Sequence, residues 1–177
     1  MIRQTVKKTF LPIGLLSGAA GLSVWVSLTT VVINFRAAIA QSPLIVLSRD
    51  IVRGQSITAS GTTAGSYNLT QLAVRDRHRK LCLGYGSDQP SHRLELSEDQ
   101  PRLQIAINSE GQDTTLLIHG PWGIDCNDNQ GRGRRDAAIN ARNWPAGLYQ
   151  IWVGSFDAGD RLDYVLEISD PTANRED

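Results

Sequence analysis

The stretch "RLQIAIN" at 102–108 alternates apolar and polar side chains, with its three large aliphatic residues two positions apart. Period two is the pattern of a β-strand that buries one face and leaves the other in water. The stretch "DYVLEIS" at 163–169 repeats this alternation near the end of the chain. The two stretches predict half-buried strands on either side of a long central region.

The rest of the chain after residue 41 also predicts strands. Short bursts rich in Val, Ile, Leu, Tyr and Trp are separated by Gly, Pro, Asn, Asp and Ser, and no window there keeps a helical period for three turns. This pattern predicts an all-β fold, a jelly-roll-like β-sandwich. The further strands that we expect are 44–47, 67–74, 81–85, 93–96, 114–119 and 148–154.

Turn residues and composition divide the chain further. We expect an N-terminal strand and a Gly/Ser/Thr-rich region at 41–71, the sandwich at 72–170 and a frayed tail at 171–177. Within the first of these, 55–66 is expected to be a loop or a weakly paired edge strand. The stretch "VRDRHRKL" predicts a hairpin with Asp76 as a turn residue.

The first 40 residues are typical of an export signal. Three basic residues precede an uncharged apolar run from Phe10 to Phe35, and Ala38-Ile39-Ala40 matches a signal peptidase site. Cleavage there would leave 137 of the 177 residues. The run of 26 residues is also long enough to span a bilayer, so an uncleaved anchor helix is the alternative. Both interpretations place the remaining chain outside the cytoplasm, in the periplasm or secreted.

The net charge of the exported part excludes some classes of partner. Four of the 18 basic residues precede the expected cut and all 18 acidic residues follow it, which gives the exported part a net charge of −4. A mildly acidic domain has no overall attraction to nucleic acid or to an anionic membrane. Membrane contact is therefore expected only if the N-terminal segment is uncleaved.

The chain contains two cysteines, Cys82 and Cys126, and both lie in the exported part. An even number of cysteines in an oxidising compartment favours a disulfide. Their separation matches no zinc-site spacing. Two buried free thiols and a reactive nucleophile are the alternatives.

Four stretches together resemble a known family: "LAVRDRHRKLCLGY", "DTTLLIHGPWGIDCNDN", "AGLYQIWVGSF" and "DYVLEIS". In order and spacing they are similar to the bacterial pre-peptidase C-terminal domain, in a short exported form, over about 72–169. The resemblance implies a compact, non-catalytic β-sandwich that assists secretion, surface association or substrate binding, and some relatives bind calcium. The family's paired acids fall on Asp128 and Asn129, so the second is an amide here, and Trp122 stands where family members often have Asp.

Calcium is the metal that the central loop suggests, because it prefers several oxygen ligands on a flexible loop. Gln130 occupies the position where an EF-hand needs glycine, and no glutamate closes the ring. The alternative is that these residues are ordinary turn formers, and no cofactor is then expected. The candidate oxygen donors are Asp125, Asn127, Asp128, Asn129 and Asp136.

Two basic clusters and one tryptophan are candidates for ligand binding. If the cysteines are bridged, the two basic loops are expected to approach each other and form a patch for an acidic polymer. Among the tryptophans, Trp122 in its Gly-Pro turn is the better candidate for an exposed ring that stacks on a sugar, and the alternative is a lid that covers the end of the sandwich. A solvated surface is the alternative for the two basic clusters. The clusters are Arg75, Arg77 and Arg79 with His78 and Lys80, and Arg132, Arg134 and Arg135.

Enzymatic motifs are absent from the sequence: it has no G-x-S-x-G elbow, no H-E-x-x-H and no P-loop. We therefore expect a non-enzymatic exported module that serves envelope association, secretion or ligand binding. One alternative is a protein that binds an envelope polysaccharide or another polyanion through Trp122 and the arginine clusters. Another is an accessory protein or inhibitor of a secreted peptidase.

Overall fold

The computed structural model describes residues 43–47, 56–129, 131 and 133–171, so the predicted signal or anchor segment lies outside the described residues. Within them, no helix is long and apolar enough to cross a bilayer. Apart from one 3-10 turn (Leu69–Gln71), the elements are strands, which confirms the predicted all-β sandwich. The strands are β1 (Leu44–Leu47), β2 (Ser56–Thr62), β3 (Tyr67–Asn68), β4 (Tyr85–Gly86), β5 (His92–Leu96), β6 (Gln100–Asn108), β7 (Thr114–Gly120), β8 (Gly123–Asn127), β9 (Ala138–Trp144), β10 (Gly147–Ser155) and β11 (Asp163–Ser169).

Two sheets form the sandwich. In sheet A, β10 pairs with β7 along one side and with β5 and then β4 along the other. β8 extends this sheet beyond β7, β1 extends it beyond β5 in parallel orientation, and β3 pairs with β4. Sheet B has the order β2-β11-β6-β9 and is antiparallel throughout. β8 and β9 are thus edge strands of different sheets.

The main core lies between the sheets, and the strand alternation produces it. β6 and β11 each bury every second side chain against sheet A, as the period-two pattern predicts. Facing them are aliphatic and aromatic side chains of β5, β7 and β10. The largest fully buried members are Trp144, Tyr149, Leu94, Leu96, Leu103, Ile105, Ile107, Leu116 and Ile118.

A second, smaller core lies on the outer face of sheet A. β7 is buried continuously from Thr114 to Ile118 instead of alternating, because the segment 69–83, here called the cap, covers that outer face. Leu69 of the cap packs with Leu117 and Trp152 of the sheet. The predicted disulfide is confirmed: Cys82 in the cap is bonded to Cys126 in β8, and their Cα atoms are 5.4 Å apart.

Several predicted elements differ from the structure. The strand expected at 67–74 is limited to β3, because the Asn68 side chain accepts from the Thr70 amide and starts the 3-10 turn. The strand expected at 81–85 is limited to β4 at its end. β8 and β9 were not predicted, and the Ser/Thr-rich region contributes β2, an edge strand paired with β11 over seven residues.

Candidate binding cleft

The cap carries the predicted hairpin, whose tip is organised by one carboxylate. Asp76 is buried, and its Oδ1 accepts hydrogen bonds from the amides of His78 and Lys80, both at 2.8 Å. Arg79 has a φ of 67°, which closes the turn. The structure thus confirms Asp76 as a turn residue, and it fixes the backbone from which His78 and Lys80 project.

Three links hold this hairpin against the edge of sheet A. The Arg77 amide donates to the Ile124 carbonyl at 2.9 Å, and the Arg77 Nε donates to Asp125 Oδ1 at 2.8 Å. The disulfide at Cys126, one residue further along β8, is the third link. The side chain of Asp125 is 5% exposed and that of Arg77 is 30% exposed, so this ion pair lies mostly inside the protein.

Trp122 is half-buried, which agrees with the lid at the end of the sandwich and not with an exposed stacking ring. Its ring lies 4.1 Å from Trp144 and 5.6 Å from Tyr149, measured between centroids. The guanidinium carbon of Arg77 lies 4.0 Å from its ring centroid. Cation–π contact of this kind occupies the aromatic face, so Trp122 supports the hairpin base and is not a free stacking surface.

A cleft of about 450 Å³ opens between the hairpin tip, β8 and β9. It lies where β8, an edge strand of sheet A, approaches β9, an edge strand of sheet B. The Asn127 side chain connects the two walls, since its Nδ2 donates to the Ala138 carbonyl at 2.6 Å and to the Asn129 carbonyl at 2.7 Å. Polar residues that line the cleft are Asp76, His78, Lys80, Gln104, Asp125, Asn127, Asn129, Arg134 and Asn140.

The charged residues of the cleft lining are two carboxylates and two cations, Lys80 and Arg134. Asp76 is engaged with backbone amides, and Asp125 is paired with Arg77. Within the part of the chain that the structure describes, neither Lys80 nor Arg134 has a carboxylate within salt-bridge distance. The lining therefore holds two cations that remain available to a ligand, beside two carboxylates that already have partners.

The predicted basic clusters are only partly brought together. His78 and Lys80 of the first cluster and Arg134 of the second line the same cleft. Arg75 instead donates to the Arg79 carbonyl within the hairpin, at 2.7 Å. Arg132 lies outside the described residues.

Arg135 belongs to a neighbouring acidic group instead of the cleft. The pKa of Asp113 is raised, mainly by burial and also by the nearby Asp128 and Asp157, whereas Arg135 opposes the shift. Asp136, one of the predicted calcium ligands, also lies apart from the cleft. Its carboxylate accepts hydrogen bonds from the Ser109 amide at 2.8 Å and from the Gly111 amide at 3.2 Å.

Three of the five candidate calcium ligands have separate partners. Asp125 pairs with Arg77, Asn127 bonds to backbone carbonyls and Asp136 caps a distant loop. Among the described residues, no three His, Cys, Asp or Glu side chains form a group that could hold a metal ion.

Gln104 and Asn140 were not identified from the sequence, although they form the floor of the cleft on the sheet B side. Asn140 Nδ2 donates to Gln104 Oε1 at 3.2 Å, and Asn140 Oδ1 accepts from Arg102 Nε at 3.0 Å. Both residues lie on the outer face of their strands. The alternation of "RLQIAIN" already indicated that Gln104 faces outward, whereas Asn140 lies on a strand that was not predicted.

A buried histidine lies away from the cleft, between the sheets. His92 Nε2 is 2.9 Å from the Tyr164 hydroxyl. Burial lowers the pKa of His92. Burial also raises the pKa of Tyr164 to about 12, against the effect of a hydrogen bond with Ser91. The pair is therefore neutral near pH 7, and its role is core packing.

Comparison with known proteins gives similarity at the level of solved structures. No protein-family profile matches the chain, and no curated protein matches it. The pre-peptidase C-terminal domain of a collagenase from Bacillus anthracis is similar, with a TM-score of 0.41 and 16% identity, over 73% of this chain and 94% of that domain. It is a domain of the type that the sequence motifs resemble.

Two further structures are similar in the same way. A periplasmic inhibitor of g-type lysozyme from Aeromonas hydrophila has a TM-score of 0.38 and 12% identity, over 73% of this chain and 98% of the inhibitor. A surface-associated copper-binding protein from Methylomicrobium album BG8 has a TM-score of 0.38 and 12% identity, over 74% of this chain and 99% of that protein.

Proposed function

We propose that this chain is an exported, non-catalytic β-sandwich module that binds an anionic ligand in the cleft between the cap hairpin, β8 and β9. The observation that carries the proposal is the placement of Lys80 and Arg134 on one cleft without acidic partners among the described residues. Each comes from a different segment of the chain. The disulfide and the Arg77–Asp125 pair hold the hairpin that carries Lys80.

The chemistry of the cleft suits carboxylate, sulfate or phosphate groups. Lysine and arginine form charge-assisted hydrogen bonds to such anions, and arginine can form two at once. The asparagine and glutamine side chains around them add neutral donors and acceptors for the rest of a polar ligand. Such a site needs no cofactor, and the proposal includes none.

Export and lack of catalysis have their own support. A disulfide that closes a loop of this length is typical of proteins that fold in an oxidising compartment. Of the three histidines, His92 pairs with Tyr164 and His78 approaches Asp125, while His119 is exposed. Among the described residues, no hydrogen bond joins a histidine to a serine hydroxyl, which is the pairing that nucleophilic catalysis requires.

Salt-dependent retention on immobilised heparin tests the binding proposal. We expect the purified chain to bind at low salt, and the double variant Lys80→Ser/Arg134→Ser to elute at clearly lower salt. The matched control is Arg135→Ser/Arg142→Ser, which removes the same charge from exposed loop and strand positions that line neither the cleft nor the neighbouring depressions. Equal weakening by both pairs would show that only total charge matters and would contradict a site in the cleft.

A further inference from the structure

We infer that the cleft is one end of a longer binding surface on sheet B, and that its ligand is a segment of an acidic polysaccharide. The inference rests on the proposed function, because it names the ligand class of the same cleft. It adds the part of the surface that binds the uncharged portion of the ligand.

The outer face of sheet B contains a shallow trough that crosses its strands. In the strand register, Thr58 of β2 lies opposite Glu167 of β11, Glu167 lies opposite Ala106 of β6, and Ala106 lies opposite Ala138 of β9. The two alanines make the β6–β9 part of this row low. Four strands at their usual spacing give the trough a length of about 14 Å.

Side chains of the two neighbouring rows border the trough. On one side, Gln104 lies opposite Asn140 in the strand register. On the other side, Ser60 and Asn108 lie opposite Val165 from either neighbouring strand. These side chains point away from the core. Successive residues of a strand face opposite sides of the sheet, and the residues before and after each of these positions are buried or half-buried.

The trough is continuous with the cleft. A second depression of about 390 Å³, lined by Ala106 and Glu167 among others, shares Gln104 and Arg134 with the cleft. A third depression of about 710 Å³ shares Asn108 with the second and continues over Ser60. An extended ligand that starts at Arg134 can therefore follow one surface across the sheet.

The side chains along this path match a glycan better than a compact anion or a peptide. Amide and hydroxyl groups bond to sugar hydroxyls in both directions, and a carboxylate such as Glu167 accepts from them. A peptide recognised in extended form pairs with a sheet edge and needs pockets for its side chains, whereas this trough crosses the strands and presents two alanines beside Thr58 and Glu167. Lys80 and Arg134 favour an acidic group at that end of the glycan, whereas the carboxylates further along the path favour uncharged sugars with free hydroxyls.

Calorimetry of the full chain with oligosaccharides of increasing length that carry a single acidic sugar, a terminal glucuronate, tests the inference. We expect affinity to rise about tenfold from the single sugar to the length that spans the trough, and then to stay constant; tenfold corresponds to about 1.4 kcal/mol. The variant Lys80→Ser/Arg134→Ser should bind every length at least about tenfold more weakly. Polyphosphate should bind more weakly than the longest of these oligosaccharides.

Two variants separate the trough from simple charge attraction. Ala106→Leu fills the trough and should remove the gain with length while the single sugar binds as before; Gln150→Leu, on the outer face of sheet A, is the matched control and should change neither. Glu167→Gln removes a negative charge without changing size. It should weaken binding of the long oligomers if their hydroxyls donate to the carboxylate, whereas charge attraction alone would strengthen it.

The outcomes are distinguishable. If binding depends on Lys80 and Arg134 but polyphosphate binds as tightly, or Glu167→Gln strengthens binding, the polysaccharide inference is wrong and the proposed function stands. If the Ala106→Leu variant keeps the full gain in affinity with ligand length, the ligand does not bind along the trough. If Lys80→Ser/Arg134→Ser binds every anion as the unmodified chain does, the proposed function itself fails.

Discussion

Replacing Arg77 by leucine removes the cation that neutralises a buried carboxylate and covers an aromatic ring. Arg77 Nε donates to Asp125 Oδ1 at 2.8 Å, and its guanidinium carbon lies 4.0 Å from the Trp122 ring centroid. Leucine keeps some apolar contact with the tryptophan but offers no donor. The variant therefore leaves Asp125, with its side chain 5% exposed, without its nearest cation.

The magnitude follows from the burial of the two groups. Breaking a fully buried ion pair by removing one partner costs about 3–5 kcal/mol. The Arg77 side chain is 30% exposed, so water reduces this penalty, and His78 Nε2 at 3.5 Å offers Asp125 a weaker partner. The lost cation–π contact adds about 0.5–1 kcal/mol. We expect Arg77→Leu to lower the free energy of unfolding by about 2–3 kcal/mol.

Urea unfolding of a double-mutant cycle measures this value. Asp125→Asn keeps an acceptor for Arg77 and should cost about 1 kcal/mol. In the double variant the asparagine needs no cation, so Arg77→Leu should cost about 1–2 kcal/mol less there than in the unmodified chain. An Arg77→Leu loss below about 0.5 kcal/mol, the range of ordinary surface changes, would refute a structural role for this ion pair.

Further perturbations test other parts of the fold. Replacing both Cys82 and Cys126 by alanine should lower the free energy of unfolding by about 4 kcal/mol, because the disulfide closes a loop of 44 residues. Mass spectrometry of the unmodified exported chain should show a gain of two hydrogens on reduction. Free thiols before reduction would contradict the bond. Asp76→Ala should cost about 2 kcal/mol in urea unfolding, because two hairpin amides lose their acceptor, and Asp76→Asn should lose less. Burial lowers the pKa of His92 below its ordinary value of 6.5, so the unfolded chain binds a proton at a higher pH than the folded chain does. The free energy of unfolding should therefore be constant above pH 6.5 and fall as the pH decreases through 6.5. His92→Gln, which cannot titrate, should remove that slope, and an unchanged slope would assign it to other groups.

The fold class could be predicted because alternation is a local signal. In β6 and β11, every second residue is apolar, and the same residues are buried in the structure. β9 escaped prediction because it is an edge strand with asparagine and arginine on its outer face, and its inward positions include the small, half-buried Ala141. Edge strands commonly carry polar residues, which weakens the apolar pattern.

The site was predicted only in part, for a different physical reason. The disulfide brought residues near Cys82 and Cys126 together, as the sequence suggested, and this placed Lys80 and Arg134 on one cleft. The position of Trp122 depended on its packing with Trp144 and on Arg77, and neither contact is local in sequence. Pairings of this kind are set by tertiary packing, which sequence patterns do not contain.

Amide chemical-shift mapping during titration with a short oligosaccharide that carries a terminal glucuronate tests the central claim most directly. A ligand in the cleft should shift the amide signals of residues on all three walls while leaving those around the buried His92 unchanged. Shifts confined to His92 and its neighbours, or spread evenly over exposed arginines, would contradict the assignment of the site. The signals expected to move are those of Lys80, Asn127, Asn129, Arg134 and Asn140.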